Sequence, residues 1–404
     1  MTELTRAEAQ AEIEQIENCM PGKWKGLYVF PNSSTERVYT EFMKRFRAGR
    51  SGLLPVKGVP GAGKTRLMNK LKEDLRNDKI SYSNVTLGSV EDIKKVGISA
   101  FLPHALVKKF ALIQEGQELN FLEEIRKEPF KKKVHGIFAD ADKNNQLYYG
   151  GSHRLCVVIE CLSSDDPEEN EGARRWIEGH TPSPEDEEGK RFLKKLRAAG
   201  LDTGAKNISS ITTDETLFFL RDLGKFLGYE PYLVAVDEIE KAAELPPKMG
   251  KTFLSGIRDL INTLYATDRD IPEQQGLFVA ISISDPYLEY AGISDEDVPD
   301  LDFVGGRMKF GKPKTDLREV PRLWTVLHGL RVWADANIRD KEVMVKIGEE
   351  VKTLCKKAYG DDSIDRVDIR AVVERHRESW PWLLPRWYIP EFINECRKAV
   401  DSGK

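Results

Sequence analysis

The sequence predicts an α/β protein: a doubly wound, parallel-stranded nucleotide-binding core followed by a small helical lid. Three observations lead there. Apolar strand-like runs alternate with amphipathic helical periods through most of the chain. One strand–helix junction is the glycine-rich stretch GVPGAGKT, Gly58 to Thr65. From about Leu317 the pattern becomes helical, with no strand run to interrupt it.

The elements follow in order. Residues 1–24 read as an N-terminal helical extension, with a short polar helix over 5–19. The core is assigned to residues 25–316. In it, TERVYTEFMKRFRAGRSG places Val38, Phe42, Met43 and Phe46 on one helical face and stops at Gly49 and Gly52. LLPVKGV is a short strand, KTRLMNKLKEDLRND an amphipathic helix and ISYSNVTLG the next strand, which makes a βαβ unit. HALVKKFALIQEGQELNFLEEIRKEPFKKKVHGIFADAD reads as mainly helical, broken at Pro129, and HRLCVVIECL reads as a buried strand. The acidic, proline-bearing stretch after it reads as solvated loops around a helix or two, part of a charged insertion over about residues 100–210. TDETLFFLRDLGKFLGYE is a helix, PYLVAVDEIE a strand ending in acids, GKTFLSGIRDLINTLYAT a helix and GLFVAISIS a strand. That gives five strands between helices. Residues 317–404 form the lid.

Composition narrows the function classes. The chain has 404 residues, 32% charged and 40% hydrophobic, with a net charge of −4. The near-neutral balance carries no global nucleic-acid signature, so contact with nucleic acid has to come from local patches. Five cysteines are scattered without a CxxC pair or zinc spacing, which reads as reduced thiols in an intracellular protein. The acidic start lacks an apolar signal core, and no run reaches the roughly 18 apolar residues that would span a membrane. A cytoplasmic location with no membrane partner is expected.

GVPGAGKT matches GxxxxGK[ST] in full, with a strand before it and a helix after it. Glycines let the backbone curl so that successive N–H groups converge into an anion nest, and the following helix adds its positive end. The expected cofactor-binding set is Gly58, Pro60, Gly61, Ala62, Gly63, Lys64, Thr65 and Arg66. Lys64 is expected to reach the β and γ phosphates, and the Thr65 hydroxyl to join the Mg²⁺ shell. Asp237 and Glu238 close the run YLVAV, at the strand end where open α/β sheets place ligands. There Asp237 can support the metal and Glu238 can orient and polarise a water for in-line hydrolysis. The strand GLFVAISISDP closes on Ser282, Ser284 and Asp285, and either serine can touch the γ phosphate or the water. Alternation puts both on one face, so spacing does not choose between them; Ser284, nearer the end, is preferred.

A phosphate loop, then VDEIE, a polar-ended strand and a helical domain with LPRWYIPEFI together resemble the AAA+ ATPases over most of residues 28–404. The resemblance implies that Arg386, after Pro385 at the start of a lid helix, senses the nucleotide. It implies ATP-driven homo-oligomers with an arginine finger from a neighbouring subunit: Arg269, before the sensor strand, with Arg258 and Arg307 as other candidates. ARRWIEGHTPS, LRAAGL and FFLRDLGKFLGYEPYLVAVDEIE are similar, in that order, to the ATP-binding proteins of BREX phage-defence systems, relatives of the origin-recognition branch. The loop itself is closer to generic AAA+ loops, and the charged insertion matches loosely. That narrower likeness implies action on double-stranded DNA beside a helicase or other defence-system proteins.

Several features have two readings. Lys108, Lys109, Lys131, Lys132 and Lys133 can neutralise DNA phosphates or simply solvate a helix. Arg366, Arg370, Arg375 and Arg377 near WPWLLPRWY can stack on bases, or the tryptophans there can anchor a small core. His153 and His180 have no partner at ligand spacing and read as structural. Three function classes remain: an oligomeric DNA-associated ATPase, a nucleotide-gated assembly switch with little turnover, and a small-molecule kinase. The acidic pair and the helical lid favour the first two. In the ATPase reading the catalytic set is Lys64, Glu238, Arg269 and Ser284, with Thr65 and Asp237 on the metal.

Overall fold

The computed structural model describes residues 4–17, 29–59, 61–86, 98–115, 117–148, 152–201, 207–267, 276–285, 317, 320, 323, 325, 327, 330, 333–379 and 385–402. Along the chain run α1 (Arg6–Glu17), α2 (Ser33–Arg47), β1 (Gly52–Gly58), α3 (Lys64–Asp74), β2 (Ile80–Thr86), α4 (Ile98–Lys108), β3 (Phe110–Gln114) and β4 (Gln117–Asn120). Then come the one-turn α5 (Phe121–Glu124), α6 (Phe130–Ala139), α7 (Ala141–Leu147), α8 (His153–Leu162), α9 (Pro167–Ile177), α10 (Glu187–Ala198), α11 (Thr213–Leu227), β5 (Tyr232–Asp237) and α12 (Pro247–Thr267). The chain continues through β6 (Leu277–Ser284), β7 (Ala334–Asp335), α13 (Lys341–Tyr359), α14 (Ile369–Ser379) and α15 (Pro385–Ser402).

The strands form one seven-stranded sheet in the order β4-β3-β2-β5-β6-β1-β7. From β2 to β7 every pairing is parallel, and β3 and β4 add an antiparallel hairpin on the β2 side. The two-residue period of a strand explains the layering. On β5, Tyr232, Val234 and Val236 face one apolar cluster, whereas Leu233 and Ala235 face another. On β6, Leu277, Val279, Ile281 and Ile283 face the first, and Phe278 and Ala280 the second. The first cluster is closed by α4, α11, α12 and the inserted helices, and the second by α2 and α3. The result is a helix–sheet–helix sandwich whose strands read as continuous apolar runs because both faces are covered.

Three sequence expectations are corrected. HRLCVVIECL is not a strand but the helix α8, with seven of its ten residues buried and a Ser152 side chain accepting from Leu155 N at its start. A short continuous apolar run has no period to separate a buried strand from a buried helix, and the β-branched valines favoured the wrong choice. Cys156 and Cys161 lie in this helix, and burial pushes both thiols up to about 12, far from the range of a reactive thiolate. The stretch read as mainly helical contains the β3–β4 hairpin, turned at Glu115 with φ 50°. Phe110 pins it by edge contacts with Phe121 and Tyr232. Finally, a strand does occur after Leu317: β7 pairs with β1 through Val56–Ala334 and Lys57–Asp335.

The packing also runs past residue 316. Leu317, Val320, Leu323 and Leu327 are buried with the main core, and Ala334 and Ala336 with the α2–α3 face. A third apolar cluster begins at Ile338 and joins α13, α14 and α15 with Ala9, Ile13 and Ile16 of α1. The N-terminal helix is therefore a member of the C-terminal helical unit. Arg6 Nε and Gln10 Nε2 donate to Ala358 O at 3.1 and 3.0 Å, supplying partners to the end of α13.

Candidate functional site

The site grows out of the end of β1. A Cβ on Gly58 would sit 3.2 Å from both the Ala62 and Ala336 Cβ atoms, so glycine lets the loop and the chain after β7 close on each other. The loop turns through Gly61 at φ 85° and Gly63 at φ 106°, left-handed values that glycine adopts without penalty. Helix α3 then starts at Lys64. The helices α2, α9 and α13 have side-chain caps on their first amides, but α3 has no side-chain cap hydrogen bond. The same is true of α6 and α10, but the start of α3 lies directly beyond the C-terminal end of β1, at the C-terminal edge of the parallel sheet.

Alternation delivers the other groups to the same place. Asp237, Ser282 and Ser284 carry the parity of Leu233, Ala235, Phe278 and Ala280, the α3 side of the sheet. Thr65 Oγ1 accordingly donates to Asp237 Oδ2 at 2.7 Å. The other oxygen, Oδ1, accepts from the Ser282 hydroxyl and from Glu238 N at 3.0 Å. Glu238 holds φ 60°, a left-handed value that costs a non-glycine residue on the order of 1 kcal/mol. That turn aims its N–H inward, also toward Ser282 Oγ at 3.1 Å, while its carboxylate pairs with Lys241 at 2.5 Å with the side chain 38% exposed.

The acid that approaches the loop lysine is Glu240, in the short 3-10 turn Ile239–Glu244. Lys64 is 7% exposed. Its ammonium donates to Gly58 O at 2.9 Å and Val59 O at 3.4 Å and lies 3.6 Å from Glu240 Oε1. The other Glu240 oxygen accepts Ser284 N–H at 3.1 Å. Burial pushes the Glu240 carboxyl above the usual carboxylate range, and Asp237 and Glu238 push the same way, against the pull of Lys64. Behind the loop, Asn337 Oδ1 accepts Val59 N–H at 2.8 Å, and its amide donates to Asp285 Oδ2 at 2.5 Å. Among the described residues the buried Ser284 Oγ has no hydrogen-bond partner, and Asp285 Oδ1 lies 3.8 Å from the Lys57 ammonium. Arg66 lies one residue beyond Thr65, 3.9 Å from Glu73.

The structure thus brings together Gly58, Gly61, Ala62, Gly63, Lys64, Thr65, Asp237 and the serines of β6. Sequence reasoning missed Glu240 and Asn337. The alternation that groups Asp237 with Ser282 was readable, but the fold-back of the turn after β5 was not. Pro60, Arg269 and Arg307 lie outside the described residues. Arg386 falls in the first turn of α15, with its side chain outside them. Arg258 is paired with its neighbour Asp259 at 2.7 Å. In the lid, Arg370 makes a forked pair with Glu342 at 2.7 and 2.9 Å, and Arg375 meets Glu395 at 3.2 Å. Lys131 is paired with Asp165.

Among the described residues, no group of three His, Cys, Asp or Glu side chains is placed to hold a metal by itself. No helix among them is long and apolar enough to cross a membrane. No family model matches the chain, and neither a curated protein nor a solved structure matches it.

Proposed function

We propose that the chain binds ATP with Mg²⁺ at this edge and hydrolyses it as an oligomeric AAA+ protein. The observation that carries the reading is the hydroxyl–carboxylate pair Thr65–Asp237, set beside a buried lysine and the uncapped start of α3. These groups suit a magnesium triphosphate. Loop amides and Lys64 bind phosphate oxygens, and Thr65 and Asp237 supply hard oxygen donors to an ion that takes its remaining ligands from water and phosphate. The buried Ser284 Oγ, without a hydrogen-bond partner among the described residues, fits a polar ligand at the same edge. Bound magnesium would neutralise charge on the phosphates. Glu238 is the residue assigned to the attacking water, Arg386 to the nucleotide from the helical unit, and Arg269 to a neighbouring copy.

The wider reading is an assembly acting on double-stranded DNA, in the manner of the phage-defence ATPases that the sequence resembles. Arg370, Arg375 and Lys131 are engaged in ion pairs within the chain. That leaves Lys108, Lys109, Lys132, Lys133, Arg366 and Arg377 as the remaining candidates for a DNA-facing charge. A second reading, a nucleotide-gated switch with little turnover, draws on one observation. The Glu238 carboxylate is tied to Lys241 at the surface, and that pair has to open before it can serve a water.

ATP turnover and particle mass, with and without single- and double-stranded DNA, separate these readings. Lys64→Ala should abolish ATP binding. Glu238→Gln should keep binding, stop turnover and trap the larger particle. DNA-stimulated turnover supports the ATPase; nucleotide-dependent assembly without turnover supports the switch. Parental turnover in Glu238→Gln removes that residue from its assigned role.

A further inference from the structure

Two acids of the edge, the buried Asp237 and the partly buried Glu240, are connected in parallel ways. Asp237 places one oxygen on the Thr65 hydroxyl of α3 and the other on the Ser282 hydroxyl of β6. Glu240 places one oxygen 3.6 Å from the Lys64 ammonium, also on α3, and the other on Ser284 N–H, also on β6. The first pair falls within the expected metal site. The second does not, and the phosphate-loop pattern contains no residue at the position of Glu240.

Lys64 explains what Glu240 does there. An ammonium that is 7% exposed has lost most of its water, and a buried charge needs an ionic partner as well as dipoles. The carbonyls of Gly58 and Val59 supply dipoles only. Among the described residues, Glu240 is the carboxylate within ion-pair distance. We propose that Glu240 is the internal counter-ion of Lys64, a latch that a phosphoryl group displaces when it enters the loop.

The proposal rests on the phosphate-binding reading and extends it. An entering phosphoryl group and Glu240 compete for one ammonium, and two anions at that distance repel each other. Displacement frees the carboxylate that also holds Ser284 N–H, so loading of the loop is felt at the end of β6. Glu240 is then a positioning residue: it acts through Lys64 and through the β6 backbone, without touching the reacting phosphate.

Two measurements test this. The first needs no nucleotide: thermal melting of the parental protein, Lys64→Met, Glu240→Gln and the double variant. A real ion pair makes the double shift smaller than the sum of the single shifts. Additive shifts overturn the latch. The second is titration with a fluorescent ATP analogue and Mg²⁺. Glu240→Gln keeps the side-chain shape and an oxygen for Ser284 N–H but removes the competing charge. It should tighten binding about fivefold to tenfold, the scale of one poorly screened charge contact. Glu240→Asp, which restores the charge, should return affinity toward the parental value. Equal or weaker binding in Glu240→Gln overturns displacement. A parental protein that binds no ATP, together with a non-additive melting cycle, instead removes the nucleotide reading and the exchange with it, and leaves the ion pair standing.

Discussion

At the C-terminal edge of the sheet, Asp237 is buried and Glu240 is partly so, its side chain 16% exposed, and each spans two elements. In the inserted helices α9 and α10 the charges are arranged the opposite way. Arg191 meets Asp166, Glu168 and Glu187 at 2.6, 3.3 and 3.4 Å with its side chain 45% exposed, and Arg175 meets Asp186 at 3.4 Å. Beneath them Trp176 and Phe192 are buried with ring centres 6.5 Å apart, and a Cβ on Gly172 would strike Glu188 O at 2.5 Å. One region withdraws its charges from water and ties each acid to two elements. The other exposes its charges and buries its rings. The first arrangement is expensive unless a ligand repays it; the second is how an ordinary helical pair is held together.

The contrast breaks most readily at the ring layer. Trp176→Ala should destabilise the insertion by about 3–5 kcal/mol, the usual range for emptying a fully buried aromatic site. Limited proteolysis should then cut within α9 and α10, while ATP affinity stays at the parental value. A loss of affinity equal to that of Lys64→Ala would show that the two regions are not separate.

How much of this was legible in the sequence follows from the same contrast. The meeting of the loop GVPGAGKT with the acid after YLVAV was readable because a fixed local pattern after a strand and the strand alternation both place residues at the same edge of the sheet. Helix α11 was readable from its apolar period, whereas the stretch of α9 and α10 reads as solvated loops around a helix or two because its acidic, proline-bearing segments mask the two amphipathic periods. Helix α8 failed because burial on all sides erased its period, and the β3–β4 hairpin failed because its apolar residues continue a helical-looking stretch. Glu240 failed for a different reason. Its role depends on how the turn Ile239–Glu244 folds back toward Lys64, and no local pattern encodes that.

A smaller effect links the insertion to the core. His104 of α4 donates from Nδ1 to Ile177 O of α9 at 2.6 Å, a direction fixed because a carbonyl can only accept. Burial holds its pKa below the ordinary 6.5; Lys108 acts in the same direction, and the Ile177 carbonyl and Glu178 oppose the shift. A depressed histidine favours the neutral form in the folded state. Its contribution is therefore present above 6.5 and is lost as pH falls through the folded value. Protease protection of α9 should weaken between about pH 7 and pH 5, and His104→Asn should flatten part of that profile. His153, lowered mainly by burial, supplies a further part. An unchanged profile in His104→Asn removes the link between α4 and α9 as the pH-sensitive contact.

The smallest effect expected is at Arg191, although it makes the densest set of ion pairs in the insertion. Its guanidinium is pulled upward in pKa first by the Asp166 hydrogen bond, yet it sits in solvent, where screening and the entropy of ordering a long side chain cancel most of the Coulomb gain. Asp166 also caps α9 by accepting from Glu168 N and Glu169 N, so it has a second role that Arg191 lacks. Arg191→Ala should therefore leave the melting temperature within error at moderate salt, whereas Asp166→Ala should lower it by removing the cap. If Arg191→Ala instead destabilises as much as Asp166→Ala, and the difference vanishes in high salt, the surface network is stronger than exposed pairs normally are. The insertion would then be held by charge as well as by its rings, and the division between the two regions would have to be redrawn.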